Sequence, residues 1–342
     1  TTSFNEETLS SSTTSRDKAQ SDEHLTSALL LISYDGRHFT GWSAANDGGN
    51  TTMDGTVEEL VQSRRRQRRR NKNARGFVRS VQGVVQTNLA KLYGNVDADR
   101  IVVEGCSRTD KGVHAMGLVA QIYCLTEQAF DSVQRNETPQ YSCSIPGKRL
   151  PHPRNATDST CFEPLPKSIS QVALKLNRML PLDVQIMAVA PVPFANINQR
   201  EEDDGELFHP TRSARSKTYR YTLSTGPRHD PTQYQRVWHV GDAPSVPTWS
   251  ENVNRVCQCL QGRHDFGAFR GAPRGAEQKR KQALQDTHCH VMNIAMHQES
   301  QWHDTTTYTI QVTGDRFLYK MVRFLVGAIV AVGKERLQME DL

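Results

Sequence analysis

Twice along this chain a strand-like segment is followed by a segment with helical spacing and then by two more strand-like segments. That order constrains the fold more than any other feature. The first pass begins with SALLLIS at 27–33, an apolar run closed by the turn-forming Tyr34-Asp35-Gly36. SVQGVVQTNLAKLY at 80–93 follows, with Val81, Val84, Val85, Leu89 and Leu92 at helical spacing and Ser80 placed to cap the start. Residues 99–103 and 118–123 read as two further strands, 168–179 as a helix and 184–192 as a strand. The second pass runs from the alternating KTYRYTL at 217–223 through a helix at 249–260, strands at 291–296 and 308–312, and a helix at 317–332. Such a repeat argues for α+β architecture in two halves, each a largely antiparallel sheet with helices on one face.

A length of 342 residues suits two domains, each with its own core. The expected division is 26–205 and 206–342, with the boundary in the polar stretch 196–206. Only 36% of residues are apolar and the mean hydropathy is -0.62, so polar inserts are expected, at 44–79 and 127–163. Residues 1–25 mix Ser and Thr with Glu6, Glu7, Asp17, Asp22 and Glu23; this suits a disordered leader, not a secretory signal or an acid-poor transit peptide. The chain starts with Thr, which leads us to expect trimming upstream. Seven scattered cysteines argue against a disulfide framework and for a reducing compartment. The most apolar window, 317–332, is too short to span a membrane and carries Lys320 and Arg323, so it reads as a core helix. A net charge of +5 is by itself weak evidence for a polyanionic partner.

The chemistry is concentrated in EGCSRTDKGVHAMG at 104–117, a charged loop hung between two strands. Catalytic groups commonly sit on such loops, held by a rigid scaffold. Asp110 can act there as general base, nucleophile, metal ligand or salt-bridge partner. Metal ligation is disfavoured, because no second carboxylate or histidine stands at ligand spacing; His114 is four residues on, in a glycine-containing loop. Arg323 lies in the apolar window, so the sequence predicts a buried guanidinium that requires a carboxylate partner; the other reading is a side chain snorkelling to solvent. Cys257-Gln-Cys259 and His288-Cys-His290 read as a zinc site only if the cysteines alternate along a strand, whereas their segment reads as a helix.

Seven stretches in order resemble the TruA family of tRNA pseudouridine synthases. They are YDGRHFTGW (34–42), SVQG (80–83), SRTDKGVHA (107–115), LNRMLPLDV (176–184), FHPTRSARSKTYRY (208–221), HDFGAFRG (264–271) and GDRFLYKMVRFLVGAIVAVG (314–333). The resemblance implies two ferredoxin-like (RRM-like) α+β halves with a catalytic cleft between them. It implies an isomerase that turns uridine into pseudouridine in the anticodon stem-loop of tRNA, needs no cofactor or metal, and works as a homodimer without a membrane. It makes Asp110 the nucleophile, Arg323 its ion-pair partner, Arg108 the group that helps extrude the target base and Tyr219 the ring stacked on it. Lys111, His114 and Arg270 are further substrate-binding positions by the same resemblance; His114 and His264 read as structural or RNA-backbone groups, not acid–base catalysts. Lys111 leans the source toward eukaryotes, and the expected place of action is inside the cell, in cytoplasm, nucleus or an organelle.

Two departures from the family pattern stand out. Between GW and VQG lies a long insert with Arg64, Arg65, Arg66, Arg68, Arg69 and Arg70, followed by Lys72, Arg75 and Arg79. These read either as phosphate contacts, as a nuclear-localisation signal or as a solvated charge run. Relatives continue beyond residue 342 through another helix and strand, so the chain is expected to be short at its C-terminus. The rival functional reading is a tRNA-binding or RNA-chaperone protein that keeps the fold without turnover. A metal-dependent deaminase is excluded by the lack of an H-x-E with a downstream P-C-x-x-C.

Overall fold

A computed structural model describes residues 25–43, 79–135, 150–153, 157, 160–192, 208–272, 283 and 285–342. The Arg64–Arg70 block, Lys72, Arg75 and residues 1–24 of the expected leader lie outside them, while its last residue, Leu25, is buried. The chain divides into two compact units, Thr1–Ser213 and Ala214–Leu342.

In the first unit, β1 (Ser27–Tyr34) is followed by α1 (Val81–Leu92), β2 (Ile101–Gly105), β3 (Ala115–Cys124), α2 (Glu127–Gln134), α3 (Ile169–Met179) and β4 (Val184–Pro191). The sheet order is β2-β3-β1-β4 and every neighbouring pair is antiparallel, the ferredoxin-like arrangement. Alternation along β1 puts Ala28, Leu30, Ile32 and Tyr34 into the core with Val81, Val85 and Leu89 of α1 and Val172 and Leu176 of α3. Ser80 caps α1 as its composition predicts, its hydroxyl accepting from the Gly83 N–H at 3.1 Å. Polar side chains then fix the helices to the strands. Gln86 donates to the Ala98 and Ile101 carbonyls, and Asn177 of α3 exchanges two 2.8 Å hydrogen bonds with the Ile186 backbone of β4. Helix α2 lies in the segment expected to be a polar insert. Thr126 caps it, and Ala129 and Val133 are buried, with Ala129 against a small cluster of Tyr123, Leu125 and Phe162.

The second unit runs β5 (Lys217–Thr225), β6 (Trp238–His239), α4 (Val246–Leu260), β7 (Gly262–Asp265), β8 (His288–Trp302), β9 (Thr305–Gly314) and α5 (Met321–Gly333). Its sheet order is β6-β5-β9-β8-β7, antiparallel except for the short β5–β6 pairing. The inner three strands, β5-β9-β8, reproduce the β1-β3-β2 arrangement of the first unit. Trp249, Val253 and Val256 of α4 pack with Leu325, Val326 and Ile329 of α5. The helices meet closely at Gly333, where a Cβ would lie 2.6 Å from the Trp249 ring.

The last helix starts later than its apolar pattern suggests. Residues 317–320 are not helical, and Lys320 stands in the left-handed region at φ 60° just before the first turn.

Candidate active site

In the first unit, Asp110 sits half-buried on the loop between β2 and β3. The loop turns tightly there: the Val113 N–H donates to the Asp110 carbonyl at 3.2 Å, with Gly112 at φ 79°. The segment 34–42 braces it. The Trp42 N–H donates to the Thr109 carbonyl at 3.1 Å, and the Tyr34 hydroxyl bonds Thr109 Oγ1 at 2.7 Å. Two glycines permit the approach. A Cβ on Gly36 would lie 2.0 Å from the Val113 carbonyl oxygen, and one on Gly41, at φ 120°, would lie 2.5 Å from that of Thr109. At the loop's root the Trp42 indole occupies the space where Gly105 would carry a Cβ, 2.7 Å away.

Arg108 is exposed, yet the atoms around its guanidinium shield it enough from water to lower its pKa; the negative charge of Asp110 opposes that shift. Lys111 is exposed. His114 is tied back to the brace: its Nδ1 lies 3.3 Å from the Gly36 N–H and 3.1 Å from Asp35 Oδ1. The first contact needs the lone pair on Nδ1 and the second a proton there, so the two are alternatives, each open to a different protonation of the ring. Asp35 is held down at about 2, chiefly by side-chain hydrogen bonds from Arg37.

In the second unit the segment after β9 gathers the remaining positions. Asp315 Oδ1 accepts from the His290 and Arg316 N–H groups, which fixes the GDRF turn. Phe317 then meets the Tyr219 ring edge-on, 5.1 Å between centroids and 86° between planes. The Gly271 N–H donates to the Tyr319 carbonyl at 2.7 Å, so Arg270 stands beside residues 319–320. Arg323 follows in the first turn of α5. Tyr219, Arg270 and Arg323 therefore lie around one turn. Among the described residues no group of three or more His, Cys, Asp or Glu is spaced to hold a metal.

A family model described as tRNA pseudouridine synthase matches residues 256–342. A tRNA pseudouridine synthase A of Bacillus sp. (strain KSM-64) is 25% identical over 304 residues, 89% of this chain and 83% of that protein. One from Ruminiclostridium cellulolyticum is 26% identical over 313 residues, covering 92% and 86%, and one from Syntrophotalea carbinolica is 27% identical over 305, covering 89% and 81%. Over most of its length the chain is similar to tRNA pseudouridine synthases, and its last quarter matches their family model.

Relative to the reading of the sequence, two positions change, Arg323 and Arg79. Arg323 is exposed, not buried: Met321, Leu325, Val326 and Ile329 enter the core, while Arg323 and Phe324, which is 47% exposed, take the opposite face of α5. The argument that burial alone demands a carboxylate for it therefore fails, and its assignment rests on the family pattern. Arg79 is a scaffold residue of the first unit. It binds Asp183 through two nitrogens at 3.0 and 3.3 Å and lies 4.7 Å over the Phe39 ring. Cys257 is buried and Cys259 exposed, as their place on α4 requires, so they do not point together. His264 bonds the Gln261 carbonyl and packs on Phe266, a structural role.

Sequence reasoning missed Glu104, His152 and His209, which meet behind the loop, and Phe317, which seats the Tyr219 ring. Phe317 and His209 stood inside motifs; no spacing rule links Glu104 to either histidine.

Proposed function

We propose that the protein isomerises uridine to pseudouridine in the anticodon stem-loop of tRNA, with Asp110 as the nucleophile. The coarser statement rests on the family and its relatives: the protein is an isomerase that forms pseudouridine. The setting of Asp110 carries the finer one. A half-buried carboxylate is presented on a loop pinned to 34–42 by hydrogen bonds and by two glycine contacts too close for any side chain. Such fixing suits a group that must meet one carbon of a flipped-out base.

In this reading Asp110 attacks uracil C6 or ribose C1′, and the N1–C1′ bond breaks. The base turns and rejoins C1′ through C5, the bond to Asp110 breaks and restores the carboxylate, the C5 proton leaves, and N1 ends protonated. No electrons are gained or lost overall, so the chemistry calls for no redox cofactor. Arg108 assists extrusion of the nucleotide, Tyr219 stacks on the uracil with Phe317 at its edge, and Arg323 supplies the counter-charge to Asp110. Lys111 and Arg270 bind substrate, and the protein works inside the cell as a homodimer. The arginines at 64–70 add phosphate contacts.

Because C5 loses its hydrogen, tRNA carrying tritium at uracil C5 reports turnover directly. The wild-type chain is expected to release tritium; Asp110→Asn is expected to bind tRNA and release none. Release that survives Asp110→Asn would overturn the nucleophile, and a wild-type chain that binds tRNA without release would favour the binding-only reading.

A further inference from the structure

Behind the loop that carries Asp110, three ionisable side chains meet in a place the catalytic reading does not use. Glu104 is the penultimate residue of β2, opposite Gln121 of β3, on the sheet face away from α1 and α3. Its Oε2 lies 3.3 Å from His209 Nε2 and 3.6 Å from His152 Nε2. Both imidazoles are buried, His152 at 0% and His209 at 3% exposure, and their ring centroids are 5.8 Å apart. Tyr123 closes the group with its ring edge against His152.

The protonation of His209 follows from its partners. Its Nδ1 accepts the Thr211 N–H at 3.1 Å, so that nitrogen carries no proton. The neutral ring therefore has its proton on Nε2, the atom facing Glu104. The same short turn is closed by the His209 N–H on Ser213 Oγ and the Ser213 N–H on the His209 carbonyl. Thr211 then reaches back: its hydroxyl donates to the Gly105 carbonyl at 3.1 Å. Glu104 and Gly105 are the last two residues of β2, and the loop to Asp110 begins at the next one. The root of the loop is thus gripped by the Trp42 indole and by residues 209–211.

We propose that Glu104 and His209 are positioning residues: their buried contact, with Thr211 on the Gly105 carbonyl, sets the exit angle of the loop and so the placement of Asp110. The inference rests on the functional reading above for its catalytic consequence, but not for its structural one. A carboxylate shut behind a strand needs polar neighbours, and His209 Nε2 stands within ion-pair reach of it at 3.3 Å, outside hydrogen-bond geometry, on a ring whose direction Thr211 fixes. Small errors of placement are costly in rate, since a shift of about 1 Å at a reacting group can cost roughly a hundredfold.

Two substitutions of His209 separate its two contacts. In His209→Gln the amide nitrogen reproduces Nε2 and keeps the contact with Glu104. In His209→Asn the oxygen reproduces Nδ1 and keeps Thr211, while the side chain is too short for Glu104. Amide hydrogen exchange of residues 106–111 should quicken in His209→Asn and stay as in wild type in His209→Gln. The kcat for tritium release should fall by about ten- to a hundredfold in the first and by less than about threefold in the second, with the KM for tRNA unchanged. Thr211→Val, at an exposed position, removes only the hydroxyl and should quicken the same amides without lowering the melting midpoint.

Exchange in His209→Asn as slow as in wild type would overturn the proposal, as would His209→Gln behaving like His209→Asn. If wild type releases no tritium while the exchange pattern holds, the functional reading falls and the clamp stands. If wild type is active and the pattern is absent, the clamp alone falls.

Discussion

Adding one methyl group at Gly41 tests whether the brace sets the position of the loop that carries Asp110. The alanine Cβ would stand 2.5 Å from the Thr109 carbonyl oxygen and 3.2 Å from the Asp110 carbonyl carbon. Ordinary contact begins at 3.4 Å, so the backbone of Thr109 must retreat by about 0.9 Å, the difference of those two distances. A β-carbon at φ 120° adds strain of about 1–3 kcal/mol, and overpacking a further 1–3 kcal/mol or so. Gly41→Ala should therefore lose about 2–6 kcal/mol of stability and roughly ten- to a hundredfold in kcat. Gly112→Ala is the matched control. It lies in the same loop at φ 79° with nothing within 4 Å of its Cβ, so it should lose only about 1–2 kcal/mol and leave Asp110 in place. Both variants are assayed by tritium release well below their melting midpoints, which removes unfolding from the comparison. Equal kcat losses in the two, or a wild-type kcat in Gly41→Ala, would refute the claim that contact rather than strain holds the loop.

Two other outcomes follow from the first unit. Arg79→Ala should lower stability by about 1–2 kcal/mol through the lost Asp183 pair and Phe39 contact, with tRNA affinity unchanged; weaker tRNA binding at unchanged stability would return Arg79 to the RNA surface. Asp35 titrates at about 2 against an ordinary 3.8, so it adds stability above pH 4 or so that is lost as pH falls through 2. Melting midpoints of wild type and Asp35→Asn should accordingly differ at pH 5 and converge near pH 2, and a gap constant over that range would contradict the assignment.

Periodicity carried most of the architecture. The capped helix at 80–93, the strand in the apolar run at 27–33 and the two α+β halves all reappear, because burial imposes the pattern that the sequence displays. Failures cluster where a side chain's partner is remote or its environment is mixed. The apolar window at 317–332 suggested a helix buried all round, but its first four residues form the turn that seats Phe317 and Tyr319, and Arg323 keeps to the outer face. Arg79 followed a run of arginines and was read with them, although its partner, Asp183, lies 104 residues on. Glu104 and His209 are joined by tertiary contact alone. The loop of Asp110 was legible as a charged segment between two strands, whereas the role proposed for Asp110 comes from the family pattern; the brace at 34–42 was legible only as a motif, since a close glycine contact leaves no periodic trace.

That brace has a practical corollary for anyone wishing to graft this chemistry elsewhere. The ten residues around Asp110 are not a portable cassette, because half of what shapes them is encoded some seventy positions upstream, by an indole and two missing methyl groups. A transplant would have to carry both pieces of backbone, in register, on the same three neighbouring strands.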